Sequence, residues 1–82
     1  MKNYEACIAA LDAERSGDWE RAHQLVGNLD TPEAAWVHAY LHRVEGDLGN
    51  AGYWYARADK PQCQDSLEME WTAIRTRLSA GA

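Results

Sequence analysis

Two segments of this chain superimpose at a period of 29 residues. Residues 17–45, GDWERAHQLVGNLDTPEAAWVHAYLHRVE, align with residues 46–74, GDLGNAGYWYARADKPQCQDSLEMEWTAI. The matches are Gly17/Gly46, Asp18/Asp47, Ala22/Ala51 and Pro32/Pro61. Turn formers and one small packing residue recur, so backbone geometry repeats and not a reactive group. A period of this length marks stacked helical hairpins, units that cannot bury their apolar faces alone.

Capping and periodicity signals predict five helices and leave little room for strands. The first runs from about Tyr4 to Arg15, with Asn3 as cap and Tyr4, Cys7, Ile8 and Leu11 on one face. Ser16-Gly17 ends it. Asp18 caps the second, where Ala22, Leu25, Val26 and Leu29 repeat at helical spacing and Gly27-Asn28 weakens the last turn. Thr31-Pro32-Glu33 starts the third, about Pro32 to Glu45, with a capping hydroxyl, a proline at the first helical position and an acid at the positive dipole end. Trp36, Val37, Tyr40, Leu41 and Val44 form one broad apolar face of it; Ala35, His38, Ala39 and His42 form an opposite, smaller face. Two such faces make it the middle layer of a stack.

Gly46-Asp47 repeats the first turn and opens the fourth helix, on which Leu48, Ala51, Gly52, Tyr55 and Ala58 share a side before Lys60-Pro61 breaks it. The fifth starts near Asp65 or Ser66, with Glu68 three after Asp65 as in a capping box. Leu67, Trp71, Ile74 and Leu78 would be its buried stripe, and Ala80-Gly81-Ala82 a fraying tail. Short links place successive helices antiparallel. The expectation is one all-α domain over residues 1–82: five antiparallel helices arranged as two hairpins and a C-terminal capping helix.

Charge narrows the partners. Thirteen Asp+Glu against eight Lys+Arg give a formal net charge of −5, and the cations stand singly among acids. Without a basic stripe, the phosphate attraction that dominates nucleic-acid binding is missing, and anionic membranes are disfavoured alike. No stretch approaches the ~20 apolar residues of a membrane span, and the start shows no uninterrupted apolar export region. Cys7 and Cys63 lack metal-ligand or redox spacing, so a reducing cytoplasm is the expected compartment.

Ala39, Gly46, Ala51, Tyr55 and Ala58 follow a small, turn-glycine, small, aromatic, small order. In this the run from Ala35 to Ala58 resembles a tetratricopeptide repeat. The first repeat matches through Ala10, Gly17 and Ala22, with Val26 in place of the aromatic and Leu29 in place of the last small residue. The period of 29 is shorter than that family's 34, and Ala35 and His38 stand where it carries a large aromatic and a leucine. The stretch WVHAYLHRVEGDLGNAGYWYARA is also similar to small uncharacterised bacterial proteins. The tetratricopeptide resemblance implies a scaffold that binds a protein or peptide, a role that fold alone does not specify further.

Chemistry-bearing constellations are few. His38 and His42, four apart, share one face of the third helix. His23 would come level with His38 across a hairpin, and three imidazoles with Glu45 or Asp47 nearby suit zinc. The HExxH pattern is absent, and partly buried packing histidines are the alternative. The serines sit in turns, caps or the tail without a nucleophile elbow, and Cys7 falls in an apolar stripe where a thiol is inert. Pairs such as Glu68/Glu70 are two apart and diverge, as on a solvated face. Gly46, Gly49 and Gly52, spaced by three, suit close helix contact. No cofactor motif is present and an enzyme is not expected.

Tyr53, Trp54 and Tyr55 are consecutive, so they fan over about 200° of a helix and cannot all enter one core. Aromatic residues with arginine are enriched at binding hot spots. Trp36, Tyr40, Arg43, Tyr53, Trp54 and Arg57 are therefore the candidate partner-binding residues, unless the first and fifth helices cover them. The leading expectation is a non-enzymatic interaction module for a protein, a peptide or a second copy of itself. The alternative is a metal- or small-ligand-binding helical protein using His23, His38 and His42.

Overall fold

The computed structural model describes residues 4–81; Asn3, the expected first cap, and Ala82 lie outside them. Five helices follow in order: α1 (Tyr4–Arg15), α2 (Trp19–Val26), α3 (Pro32–Val44), α4 (Leu48–Arg57) and α5 (Leu67–Gly81). No strand occurs among the described residues. Each boundary has a local cause. The side chains of Asp18, Thr31 and Asp47 accept the N–H groups of Arg21, Ala34 and Asn50, satisfying donors that a helix start leaves open. Gly17 and Gly46 adopt φ of +96° and +86°, left-handed values that side chains resist. The two turns share their bonding. Asp18 N–H donates to Ala13 O at 2.9 Å, and Asp47 N–H to His42 O at 2.9 Å.

The second half of the repeat diverges. Pro32 opens α3, whereas Pro61 lies in the irregular segment 58–66, and α5 begins only at Leu67. Ser66 caps α5 by accepting Met69 N–H at 3.1 Å, while Glu68 pairs with Arg15 instead of closing a capping box. The helix continues through Gly81, and Ala82, the end of the tail expected to fray, lies outside the described residues.

α3 touches each of the other four helices, which explains why both of its faces are buried. One core gathers Cys7, Leu11, Val26, Val37, Leu41, Ile74 and Leu78 from α1, α2, α3 and α5. Each large aliphatic there contributes roughly 1.5–3 kcal/mol by leaving water. A smaller cluster, Ala39, Ala51 and Tyr55, joins α3 to α4, with Trp36, Trp54 and Cys63 against it. Two apolar residues assigned to inner stripes face out: Leu48 is 58% exposed and Leu67 is also exposed. Both stand at the first position of their helices, where the chain has not yet turned onto its neighbour. Gly49 and Gly52 meet no helix: an added Cβ would find only Asp47 Oδ1 at 3.9 Å and Gln62 Oε1 at 3.7 Å.

Candidate functional site

The candidate partner-binding residues divide into two groups. Trp36, Tyr40 and Arg43, on α3, turn toward α1 and α5. Tyr40 is 3% exposed and its hydroxyl donates to Glu14 at 3.2 Å, so it belongs to the core and not to a surface. Burial, then the Glu14 charge, pushes its pKa above the ordinary phenol value. Trp36 Nε1–H donates to Glu70 Oε2 at 3.1 Å, and Lys60 sits over the Trp36 ring at 4.2 Å. Arg43 donates to Glu70 Oε1 at 2.8 Å and to the Asp65 carbonyl.

Glu70 is what gathers this group. The expectation of a solvated Glu68/Glu70 pair holds for Glu68 and fails for Glu70, which is 2% exposed. Its carboxylate accepts from Arg43, Trp36 and Tyr55, the last at 2.5 Å. A buried charge is tolerated only when paired and hydrogen-bonded in this way. Desolvation opposes charge on Arg43, but the bond to Glu70 and its charge outweigh that and raise the guanidinium above its ordinary value. Burial, then the Glu70 bond, likewise pushes the Tyr55 phenol up. This assembly pins α5 to α3 and α4. No sequence signal marks Glu70 apart from its position one residue ahead of Trp71, four ahead of Ile74 and eight ahead of Leu78.

Tyr53 and Arg57 stay on the outer side of α4, and Trp54 beside them is half-buried against α3. Tyr53 is 55% exposed, and the Arg57 guanidinium lies 5.8 Å from its ring and 5.1 Å from that of Trp54. Trp54 and Arg57 also line a cleft of about 210 Å³ with Leu29, Asp30, Pro32 and Ala35.

Behind Trp54 lie the three histidines. The Trp54 ring rests flat on His38, centroids 3.8 Å apart and planes 8° apart. His38 stacks in turn on His42 at 5.1 Å, and His23 stacks on Trp19 at 5.0 Å. Trp19 is anchored by its own Nε1–H, which donates to Leu41 O at 2.7 Å. His38 Nε2 and His23 Nε2 are 2.8 Å apart, within hydrogen-bond distance. His42 Nδ1 bonds Glu45 Oε1 at 2.8 Å. One ring nitrogen from each of His23, His38 and His42 lies within 4.8 Å of the others. Thus the predicted meeting of His23 with His38 occurs, and both the α2–α3 register and the i, i+4 spacing are responsible. Burial, then the neighbouring His23 and His42, lowers the His38 pKa from the ordinary 6.5 to about 4. Asp47, in contrast, is occupied as the α4 cap, and its bonds from Asn50 hold it below the ordinary carboxylate value.

No protein-family model, curated protein or solved structure matches the chain. No helix among the described residues is long and apolar enough to cross a membrane.

Proposed function

We propose that this chain is a non-enzymatic helical-repeat module, similar to tetratricopeptide repeats, that binds a protein segment along the outer side of α4. In this reading α1–α2 and α3–α4 are antiparallel hairpins, and α5 caps the second. The twin Gly-Asp turns, with their matching bonds and left-handed glycines, support the repeat. The observation that carries the function is the grouping of Tyr53, Trp54 and Arg57 beside an open cleft, while Trp36, Tyr40 and Arg43 are engaged inside. The fitting partner lays an aromatic or aliphatic side chain over the two rings and offers an acceptor to Arg57. Arg57 can exchange partners, since Asp30 and the Tyr53 hydroxyl, its present acceptors, are each 3.4 Å away and all three residues are exposed. The free thiols Cys7 and Cys63 suit a reducing cytoplasm.

The test compares wild type with a Tyr53→Ala/Arg57→Ala variant that retains its circular dichroism. Partners captured by affinity purification are re-expressed and titrated against both, and ultracentrifugation scores self-association. Binding at least tenfold weaker in the variant supports the reading. If every purified partner binds both proteins equally and neither self-associates differently, it is wrong.

A further inference from the structure

We propose that His23, His38 and His42 form a binding site for one divalent transition-metal ion of the zinc class, behind the Trp54 ring. The donor set is right: imidazole nitrogens suit zinc, copper and nickel, and three of them with an open fourth position is a recurrent zinc arrangement.

The geometry requires little movement. Two imidazole nitrogens bound to one tetrahedral zinc at ~2.0–2.1 Å stand about 3.3 Å apart. His23 Nε2 and His38 Nε2 are already 2.8 Å apart, so a metal fits between them with an opening of about half an ångström. The third nitrogen, within 4.8 Å of both, closes by a small ring rotation. His42 is prepared for this. Glu45 accepts from its Nδ1, which fixes the tautomer that leaves the Nε2 lone pair free. A carboxylate behind a ligating imidazole is the usual outer-shell device for orienting the ring and raising its basicity.

Rigidity and charge point the same way. Trp19 and Trp54 brace His23 and His38 by stacking, so the rings need little ordering when metal arrives. The net charge of −5 and the carboxylates of Glu45 and Asp47, clustered with His42, offset the incoming charge. His23 is only partly buried and provides the route in, with the fourth position left to water or an exogenous donor.

Zinc is titrated into the chelator-treated 82-residue chain, read by calorimetry and thermal melting. The expected result is one zinc per chain, with a rise in Tm on the order of 10–20 °C at a hundredfold excess over Kd. His23→Gln, at the least buried ligand, should weaken binding at least a hundredfold. Glu45→Gln should weaken it about 10–100-fold. Arg75→Ala, whose guanidinium pairs with Asp12 and lies near the Trp71 ring, should leave it unchanged. X-ray absorption of zinc-loaded wild type should find three imidazole donors, and it reads the ligands whether or not a variant folds. No heat and no Tm shift in wild type, or oxygen-only coordination, or undiminished binding by folded His23→Gln, would overturn the site.

Discussion

Glu70 carries the largest concentration of polar interactions in the interior, and its replacement tests the packing account directly. Glu70→Ala removes the acceptor for Arg43, Trp36 and Tyr55 at once. Breaking a buried ion pair by deleting one partner costs about 3–5 kcal/mol, and a stranded buried donor about 1–3 kcal/mol. These losses overlap, because all three donors share one carboxylate. Arg43 also retains some solvent contact and rehydrates in part, which places the expected loss near the lower end, about 3–4 kcal/mol. A domain of this length has about 4–12 kcal/mol in total, so a quarter or more of the stability is at stake. With a slope of about 1 kcal/mol per molar urea, the midpoint falls by about 3 M. The assay is urea unfolding followed by far-ultraviolet circular dichroism and tryptophan fluorescence. Glu70→Gln, which keeps an acceptor but loses the charge, should lose less, about 1–2 kcal/mol. Arg43→Met combined with Glu70→Leu should recover only the ion-pair share of the deficit, since the Trp36 N–H and the Tyr55 hydroxyl stay without their acceptor. A loss under about 0.5 kcal/mol for Glu70→Ala, the level of an ordinary surface change, would refute the burial and the bonding described.

Other expectations concern the turns, the histidines and the thiols. Gly46→Ala should destabilise by about 1–2 kcal/mol because its φ is +86°. Gly52→Ala should stabilise by about 0.5–1 kcal/mol, since it is helical and its Cβ meets only Gln62 at 3.7 Å; denaturation midpoints report both signs. His38 has an ordinary pKa of 6.5 and a folded value of about 4, so between those pH values the unfolded chain binds the extra proton. In chelator, its contribution is therefore complete above pH 6.5 and is lost as pH falls toward 4, on the order of 3 kcal/mol in all. A His38→Gln variant measured across the same range should show a flatter profile. Burial, then the Glu33 charge, pushes the Cys7 pKa up to about 11, so iodoacetamide at pH 8 should label Cys63 in the native protein and Cys7 only after denaturation. Peptide mass spectrometry distinguishes the two.

What the sequence determined by itself was local. Asp18, Thr31 and Asp47 cap helices because each side chain reaches an N–H three residues on, and Gly17 and Gly46 turn because only glycine accepts that φ readily. Those interactions close within one turn of chain, so five helices were legible from spacing alone. The pairing of His23 with His38 was legible too, once the second and third helices were placed side by side. Tertiary structure alone decided which of several equivalent-looking polar or apolar residues goes inside. Glu68 and Glu70 differ little in sequence, yet Arg43, Trp36 and Tyr55, at separations of 27, 34 and 15 residues, reach only Glu70. Tyr40 and Tyr53 likewise look alike as candidate surface aromatics, and only the packing of α3 into the shared core, with Glu14 on α1 accepting its hydroxyl, takes Tyr40 out of solvent. Leu48 and Leu67 fit their stripes by periodicity but precede the point where their helices meet a neighbour. Burial depends on where distant segments dock, and that is set by the packing of whole helices, which no window of a few residues contains.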